Sequence, residues 1–593
     1  MTKQLFKTKA ASAARLEIAS HLANAFSACG MHFEHADILA SLDESSKPSS
    51  GELARKTFIF SKKYKVEPVR LVDCLHRRWT TLLQYIEKMD VALPYINFTL
   101  RYDWLSANYA SLESAIKQLE SVDLGRVVVE HTQPNTHKFL HVGHLRNTIL
   151  GDTIFRLFRF FADDVYAVDY HGDEGAHVTK VVWYIKTKKI DLDKTAQDIP
   201  EATERSEWLG KIYAIANAEI DTLKSEGTEI GKELAQILRN IEDRAGEDYK
   251  IWKTTRDWSM EGFTQVYDWL GVHFDKYYSE SLVSESSQKR VDEYLQKGVF
   301  HISDGAVGID LSDEDLGFCM VRKSDGTGLY ATKDIELAIR RSEDYDPDVC
   351  IYVVDQRQSL HFRQVFATLR RMGFEIGHRC YHLGYDVVQS KEGAFSSRLG
   401  NAISANQLID RMILEATKVA QSKPEISEES VTQVALAAVR NGMLRVDPLK
   451  KVTFDAEEWT KFEGDTGPYL LYSYARAKSV LRKARSEGFA PSVSFDGRFF
   501  FDGMSSEQRH LMFLILSTKE NLAKAAQSLK PSLVCTHAFR TSQVFNAQYT
   551  KEKVLGSGRN EQEVCELLLL YSVFCQFLEI MFSILGWSIV EEL

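Results

Sequence analysis

Apolar and polar positions follow three rhythms, each confined to its own stretch of the chain. Over residues 1–122 two of them mix. "ARKTFIF" (54–60) and "VALPYINFTL" (91–100) read as strand, with a helical run through "RLVDCLHRRWTTLLQYIEKM" between them. This predicts a compact α+β module, joined onward by a helix in "DWLSANYASLESAIKQLES". At 126 the character changes. "RVVVE" is short and β-branched, the mark of a strand buried on both faces. A polar loop with Pro134 and Asn135 follows, and then Leu145, Ile149, Ile154, Leu157 and Phe161 recur at helical spacing. "DDVYAVDY" (163–170) reads as a second strand, so strand, helix and strand form the crossover unit of a parallel sheet. From about 185 to 260 the chain is charged and helical, which predicts an insertion. Strand-like runs return in "VHFDKYY", "AVGIDL", "FCMVRK" and "VCIYVVD" (349–355), and 405–593 is almost wholly helical. The predicted architecture is an α/β Rossmann-type domain at 123–404 interrupted by helices, an α+β add-on before it and an all-α domain after it.

Composition sharpens this reading at a few points. The chain has 593 residues, beyond the size of one hydrophobic core, so several domains are expected. Lys and Arg number 73 against 83 Asp and Glu, a net charge of −10, so any polyanionic partner requires local basic patches. Eight cysteines without a C-x-x-C pair argue against zinc ribbons and a disulfide framework, and predict free thiols in a reducing compartment. The stretch 567–587, "LLLLYSVFCQFLEIMFSILGW", is long enough to cross a bilayer, but Gln576 and Glu579 sit inside it. A core helix is the better reading, and no membrane association is expected.

The chemistry concentrates at His141-Val142-Gly143-His144, directly after the buried strand and its loop. Helix N-termini at the carboxyl ends of parallel strands attract anions. Gly143 removes a side chain, so a base or sugar can lie against the backbone. His141 and His144 can donate to phosphate oxygens, which suits attack on an α-phosphate. A metal reading through His137, His141 and His144 lacks a further ligand at a useful spacing.

"HVGH" resembles the HIGH signature of class I aminoacyl-tRNA synthetases, and the flanks narrow the resemblance. "VVVEHTQPNTHKFLHVGHLRNTILGD", "YHGDEGAHV", "DWLGVHFDKYYSES", "GLYATKDIELAIRR", "YVVDQRQSLHF" and "FEGDTGPYLLYSYARAKSVL" are similar, in order, to blocks of arginyl-tRNA synthetases. The likeness covers nearly the whole chain and is weak before residue 90 and over 185–260. Two departures stand out. Glu174 occupies a position that is usually Trp, and "GAFSSRLGN" (393–401) replaces the KMSKS signature without its catalytic lysine. The resemblance implies that Lys138 compensates, with Arg398 as second cation and Ser396 and Ser397 near ATP. It implies an arginine pocket of Glu130, Asn135, Glu280, Tyr330, Asp334 and Gln358, where a loop shift brings in Arg357 instead. Tyr330 and Asp334, four apart on one helical face, suit a guanidinium, which seeks planar acceptors.

The basic run of the C-terminal region, with Tyr474, Arg476, Lys478, Arg482 and Lys483, has the aromatics and cations that unpaired RNA bases and phosphates require. By resemblance this is the helical anticodon-binding domain, while Tyr469 and Tyr472 are read as packing. "SKKYK" with Arg77 and Arg78 is a second basic spot, in a module that by resemblance touches tRNA. The resemblance therefore implies an ATP-dependent arginine–tRNA ligase: ATP with Mg2+, L-arginine and tRNA(Arg) as partners, no structural metal, and a cytoplasmic monomer that needs tRNA before it activates the amino acid efficiently. Two rivals remain, a non-catalytic RNA-binding relative and a paralogue that activates arginine for a small acceptor.

Overall fold

The computed structural model describes residues 13–45, 48–79, 83–93, 95–101, 105, 125–226, 228–324, 326, 328–390, 393–394, 403–420, 427–491, 504–556 and 558–593. At its centre lies a five-stranded parallel sheet of β5 (Val127–Glu130), β6 (Val165–His171), β7 (Lys276–Ser279), β11 (Val349–Asp355) and β12 (Cys380–Tyr385), in the order β12-β11-β5-β6-β7. All four positions of β5 are buried, as its β-branched run predicts. Val127 and Val129 pack on one face with the helix Val142–Arg159, and Val128 packs on the other with the helices Tyr330–Tyr345 and Ser359–Arg371. This period-two division is what a sheet covered on both faces requires.

The insertion is five helices, Ala176–Thr187, Leu192–Asp198, Ala202–Ser225, Ile230–Glu242 and Gly246–Leu270, with an apolar cluster of their own around Trp183, Leu209 and Trp252. Beyond it, β8 (His301–Ser303), β9 (Ala306–Asp310) and β10 (Phe318–Arg322) form a small antiparallel sheet. A third small sheet joins β13 (Val388–Ser390), β14 (Gly393–Ala394) and β15 (Val452–Thr453). Because β13 pairs with β15, the expected boundary at residue 404 is crossed by backbone hydrogen bonds, and the described residues of 405–593 include one short strand.

One apolar cluster runs from Val127 and Ile149 to Trp459, Phe574 and Leu585, so the sheet and the C-terminal helices share a core. Arg440 ties them further. Its buried guanidinium donates to Leu270 O at 3.0 Å and Leu585 O at 2.5 Å, and pairs with Asp152 on the helix Val142–Arg159. Arg146, on the same helix, donates to Asp386 O at 3.1 Å and Pro448 O at 3.1 Å. Among the described residues the helix Glu561–Leu585 is the one apolar enough to span a bilayer, and 67% of its most apolar stretch is buried within the protein.

The N-terminal module has a four-stranded antiparallel sheet, β1 (Leu42–Glu44), β2 (Leu53–Lys56), β4 (Tyr95–Leu100) and β3 (Ile86–Ala92), with β3 and β4 paired as neighbours. "ARKTFIF" proves to be strand only to Lys56, after which the helix Thr57–Tyr64 begins. The predicted helix around 103–121 falls outside the described residues apart from Leu105. Phe513 and Leu514 of the C-terminal domain complete the module's core. Cys29 and Cys74 form a disulfide, which corrects the expectation of eight free thiols. The packing of the helices Ala13–Ala28 and Pro68–Arg78 brings together cysteines 45 residues apart, which local spacing does not signal.

Candidate active site

The carboxyl ends of the parallel strands open onto a cleft of about 630 Å³. Glu130, Tyr170, Asp355 and Tyr385 line it from strand ends, His141, Gly143 and His144 from the first turn of the helix Val142–Arg159, and Tyr330 and Asp334 from the helix Tyr330–Tyr345. The N-terminus of an 18-residue helix thus faces the cavity, with a positive dipole end suited to phosphate.

The two imidazoles are built into that helix terminus. Gly143 N–H donates to His141 Nδ1 at 3.1 Å, and His141 N–H donates to His144 Nδ1 at 3.2 Å. Each Nδ1 is therefore an acceptor, and each ring carries its proton on Nε2. Burial, reinforced by the charge of Lys138, pushes the His141 pKa down to about 4. Burial, His141 and Lys138 push His144 well below its ordinary value. At neutral pH the pair consists of two neutral N–H donors whose rings lie 3.9 Å apart, and neither carries a buried charge. A Cβ on residue 143 would lie 2.9 Å from His141 Cε1. The space left by Gly143 is thus filled by the first imidazole, where the sequence reading assigned it to a ligand.

The other end of the cleft is acidic. Tyr330 is 76% exposed at the first turn of its helix, and Asp334 stands one turn later. His361 Nε2–H donates to Asp334 Oδ2 at 2.5 Å, which fixes the carboxylate's direction. His361 was not singled out from the sequence, because 27 residues separate it from its partner and no local spacing marks the contact. Asn135 lies so close to Gly172 that a Cβ there would meet its Oδ1 at 2.5 Å, and Glu280 Oε2 would lie 3.5 Å from the same point. Gln358 and Arg357 both line the cleft, and Arg357 is paired with Asp355 at 2.6 Å. Glu130 requires a correction. It lines the floor, but one oxygen pairs with the buried Arg341 and the other accepts from Gln133 Nε2 at 3.0 Å, so its guanidinium partner is the chain's own.

Comparison with known proteins identifies the family. The family model "tRNA synthetases class I (R), catalytic domain" matches residues 109–456, and "DALR anticodon binding domain" matches 470–593. An arginine–tRNA ligase of Bdellovibrio bacteriovorus is 37% identical over 527 residues, 86% of this chain and 87% of that protein. One from Clostridium kluyveri is 30% identical over 564 residues, 92% of this chain and 95% of its own. The chain belongs to the class I arginyl-tRNA synthetase family. The solved arginyl-tRNA synthetase of Thermus thermophilus shares the fold, with a TM-score of 0.77 at 22% identity, over 98% of this chain and 100% of that one. That of Plasmodium falciparum superposes with a TM-score of 0.70 at 18% identity, over 97% and 98%.

The remaining residues expected of an arginyl-tRNA synthetase divide sharply. Lys138 faces a second, adjoining cavity of about 1330 Å³ between the insertion and the helices Glu280–Gln296 and Tyr330–Tyr345, where its ammonium lies 4.9 Å from the Tyr213 ring centroid. Ser396, Ser397 and Arg398 lie outside the described residues; on either side of them, Val388 lines the cleft and Ser404 pairs with His141. Tyr474 is fully buried, with its hydroxyl donating to Glu579 Oε1 at 2.7 Å, so it cannot stack on an RNA base, and that reading is corrected. Arg476 lies between Tyr472 and Tyr549, 4.5 and 4.7 Å from their ring centroids. Lys478 pairs with Glu579 at 3.4 Å, Arg482 with Glu591 and Glu592 at 3.6 and 3.4 Å, and Lys483 with Glu487 at 4.0 Å. In the N-terminal module Lys62, Lys63, Lys65, Arg77 and Arg78 are exposed.

Proposed function

We propose that the chain condenses L-arginine with ATP to arginyl-adenylate and pyrophosphate, and passes the arginyl group to the 3′ end of tRNA(Arg). The observation that carries this is the shared cleft: two neutral Nε2–H donors at a helix N-terminus at one end, a phenol and an oriented carboxylate at the other. In the first step an arginine carboxylate oxygen attacks the α-phosphorus, the bond to the β-phosphate oxygen breaks, and pyrophosphate leaves. His141 and His144 donate to the non-bridging oxygens as charge gathers there. Mg2+ enters with the triphosphate as part of the substrate. In the second step a terminal ribose hydroxyl attacks the arginyl carbonyl carbon and AMP leaves.

Asp334 and Tyr330 receive the guanidinium, with Glu280, Asn135 and Gln358 toward the remaining polar groups of the amino acid. Lys138, close enough to depress both imidazoles, supplies positive charge toward the β- and γ-phosphates, with Arg398 as a second cation. Arg476, Lys478, Arg482 and Lys483 provide the basic face for tRNA. The assignment to translation supports a cytoplasmic site.

The test is ATP–pyrophosphate exchange with arginine, run with and without tRNA(Arg), alongside tRNA charging. Exchange that requires tRNA, together with charging, is expected. Exchange without charging of any tRNA would replace this reading with a small-acceptor paralogue. RNA binding with neither activity would replace it with a non-catalytic relative.

A further inference from the structure

Glu280 does not stand alone at the acidic end of the cleft. Its Oε1 accepts from Lys333 Nζ at 3.0 Å, and the same ammonium lies 3.3 Å from Glu174 Oε2. Glu174 Oε2 also accepts from Ser284 Oγ. The side chains of Lys333, Glu280 and Glu174 are 18%, 11% and 5% exposed, so their charges interact through little water. The two oxygens of Glu280 are divided between the cavities. Lys333 and Glu174 belong to the larger one, Glu280 lines both, and its Oε2 looks past Gly172 toward Asn135.

Charge bookkeeping makes this arrangement specific. A carboxylate paired one-to-one with a lysine presents no net charge to a cationic substrate. Two carboxylates sharing one ammonium retain one negative charge, which matches the net positive charge of arginine. Burial pushes the Lys333 pKa down, but the two carboxylates more than offset it, so the ammonium stays charged. Burial raises the Glu280 pKa, Lys333 opposes the rise, and Glu174 and Asp173 add to it. Asp173 is already held by Arg256 and Ser281, at 2.8 Å and 2.9 Å.

We propose that Lys333 and Glu174 are positioning residues for arginine recognition: Lys333 anchors one oxygen of Glu280 so that the other faces the cleft, and Glu174 takes up part of the lysine's charge so that Glu280 remains attractive to the substrate. Glu174 is one of the positions at which the chain departs from the blocks it resembles. This rests on the reading of the cleft as an arginine site.

The test uses full-length E174Q, K333M and the double variant K333M/E174Q. Steady-state KM values for arginine and ATP are measured separately, and folding is followed by thermal melting. E174Q keeps the side chain's shape and is expected to raise the KM for arginine about tenfold, with the KM for ATP and kcat at saturating arginine unchanged. K333M is expected to raise the arginine KM at least as much, because two carboxylates then repel one another across the lost anchor. The double variant restores a single negative charge but still lacks the anchor, so its arginine KM is expected to fall below that of K333M and to stay above that of the parent. A wholly structural role predicts additive losses in melting temperature and kcat, without rescue. An unchanged arginine KM in E174Q, or a double variant no better than K333M, overturns the proposal. If K333M melts too early to assay, E174Q alone decides it. Absence of exchange in the unsubstituted enzyme would instead overturn the arginine-site reading itself.

Discussion

The cleft and the basic helix Gly467–Ser486 both gather charged and aromatic groups, yet they hold them in opposite ways. In the cleft four polar groups are fixed by buried or half-buried partners: His141 and His144 by backbone N–H groups, Asp334 by His361, Glu280 by Lys333. On the helix, Arg482 and Lys483 are exposed, and Lys478 and Arg482 pair with carboxylates near the C-terminus. The first arrangement is rigid, and removing one member strands another inside the protein. The second is loose, since phosphates can replace exposed carboxylates at little cost. A site for chemistry is preorganised, whereas a surface for a long polyanion is kept exchangeable.

Substitutions that strand a partner should have the largest effects. His144→Ala is expected to lower kcat on the order of 10²–10³-fold, with a smaller change in arginine KM, because it removes one preformed donor to the transition state. A pure arginine-affinity effect would move that histidine out of the phosphate site. Asp334→Ala is expected to lower kcat/KM for arginine on the order of 10²-fold, read as KM in the exchange assay. His361→Ala, which frees the carboxylate without removing it, should cost roughly tenfold or less. If the two variants were equal, the role given to Asp334 would belong to the pair.

Acid should expose the contrast next. The folded pKa values of His131 and His141, both pushed down to about 4 chiefly by burial, lie below that of an unfolded histidine. Below about pH 6.5 the unfolded chain binds protons that the folded chain refuses, so stability is full above that pH and falls toward pH 4. Each such histidine contributes about 1.4 kcal/mol per pH unit in that window. Urea midpoints at pH 7 and pH 5 measure the loss, and His141→Asn should flatten it. The smallest effect belongs to the helix. Lys478→Ala with Arg482→Ala should raise the KM for tRNA three- to tenfold at about 50 mM salt and much less at 150 mM. No change at low salt would remove this helix from the RNA surface.

The same contrast explains what was legible in the sequence. The β-branched run at Val127–Val129 and the helical spacing after His141 predicted the strand and helix that carry the imidazoles, because burial on both sides of a sheet leaves a local signature. The pairs that orient the site left none. His361 and Asp334 meet through the packing of two helices, and Arg341 reaches Glu130 through the core. Basic residues on helices read as solvent-facing, yet Arg146 and Arg440 are buried because backbone carbonyls and Asp152 surround them. Tyr474 misled for the same reason: one helix presents a wet face and a core face within four residues, and only tertiary packing says which tyrosine lies on which.

Arg440 has a bearing on inheritance. A guanidinium from the C-terminal helices neutralises an acid on the helix Val142–Arg159 while capping the last turns of two others. Separating the halves at a linker between them would leave Asp152 to Arg156 alone and open the shared apolar core to water, so the lobes are poor candidates for shuffling as interchangeable parts.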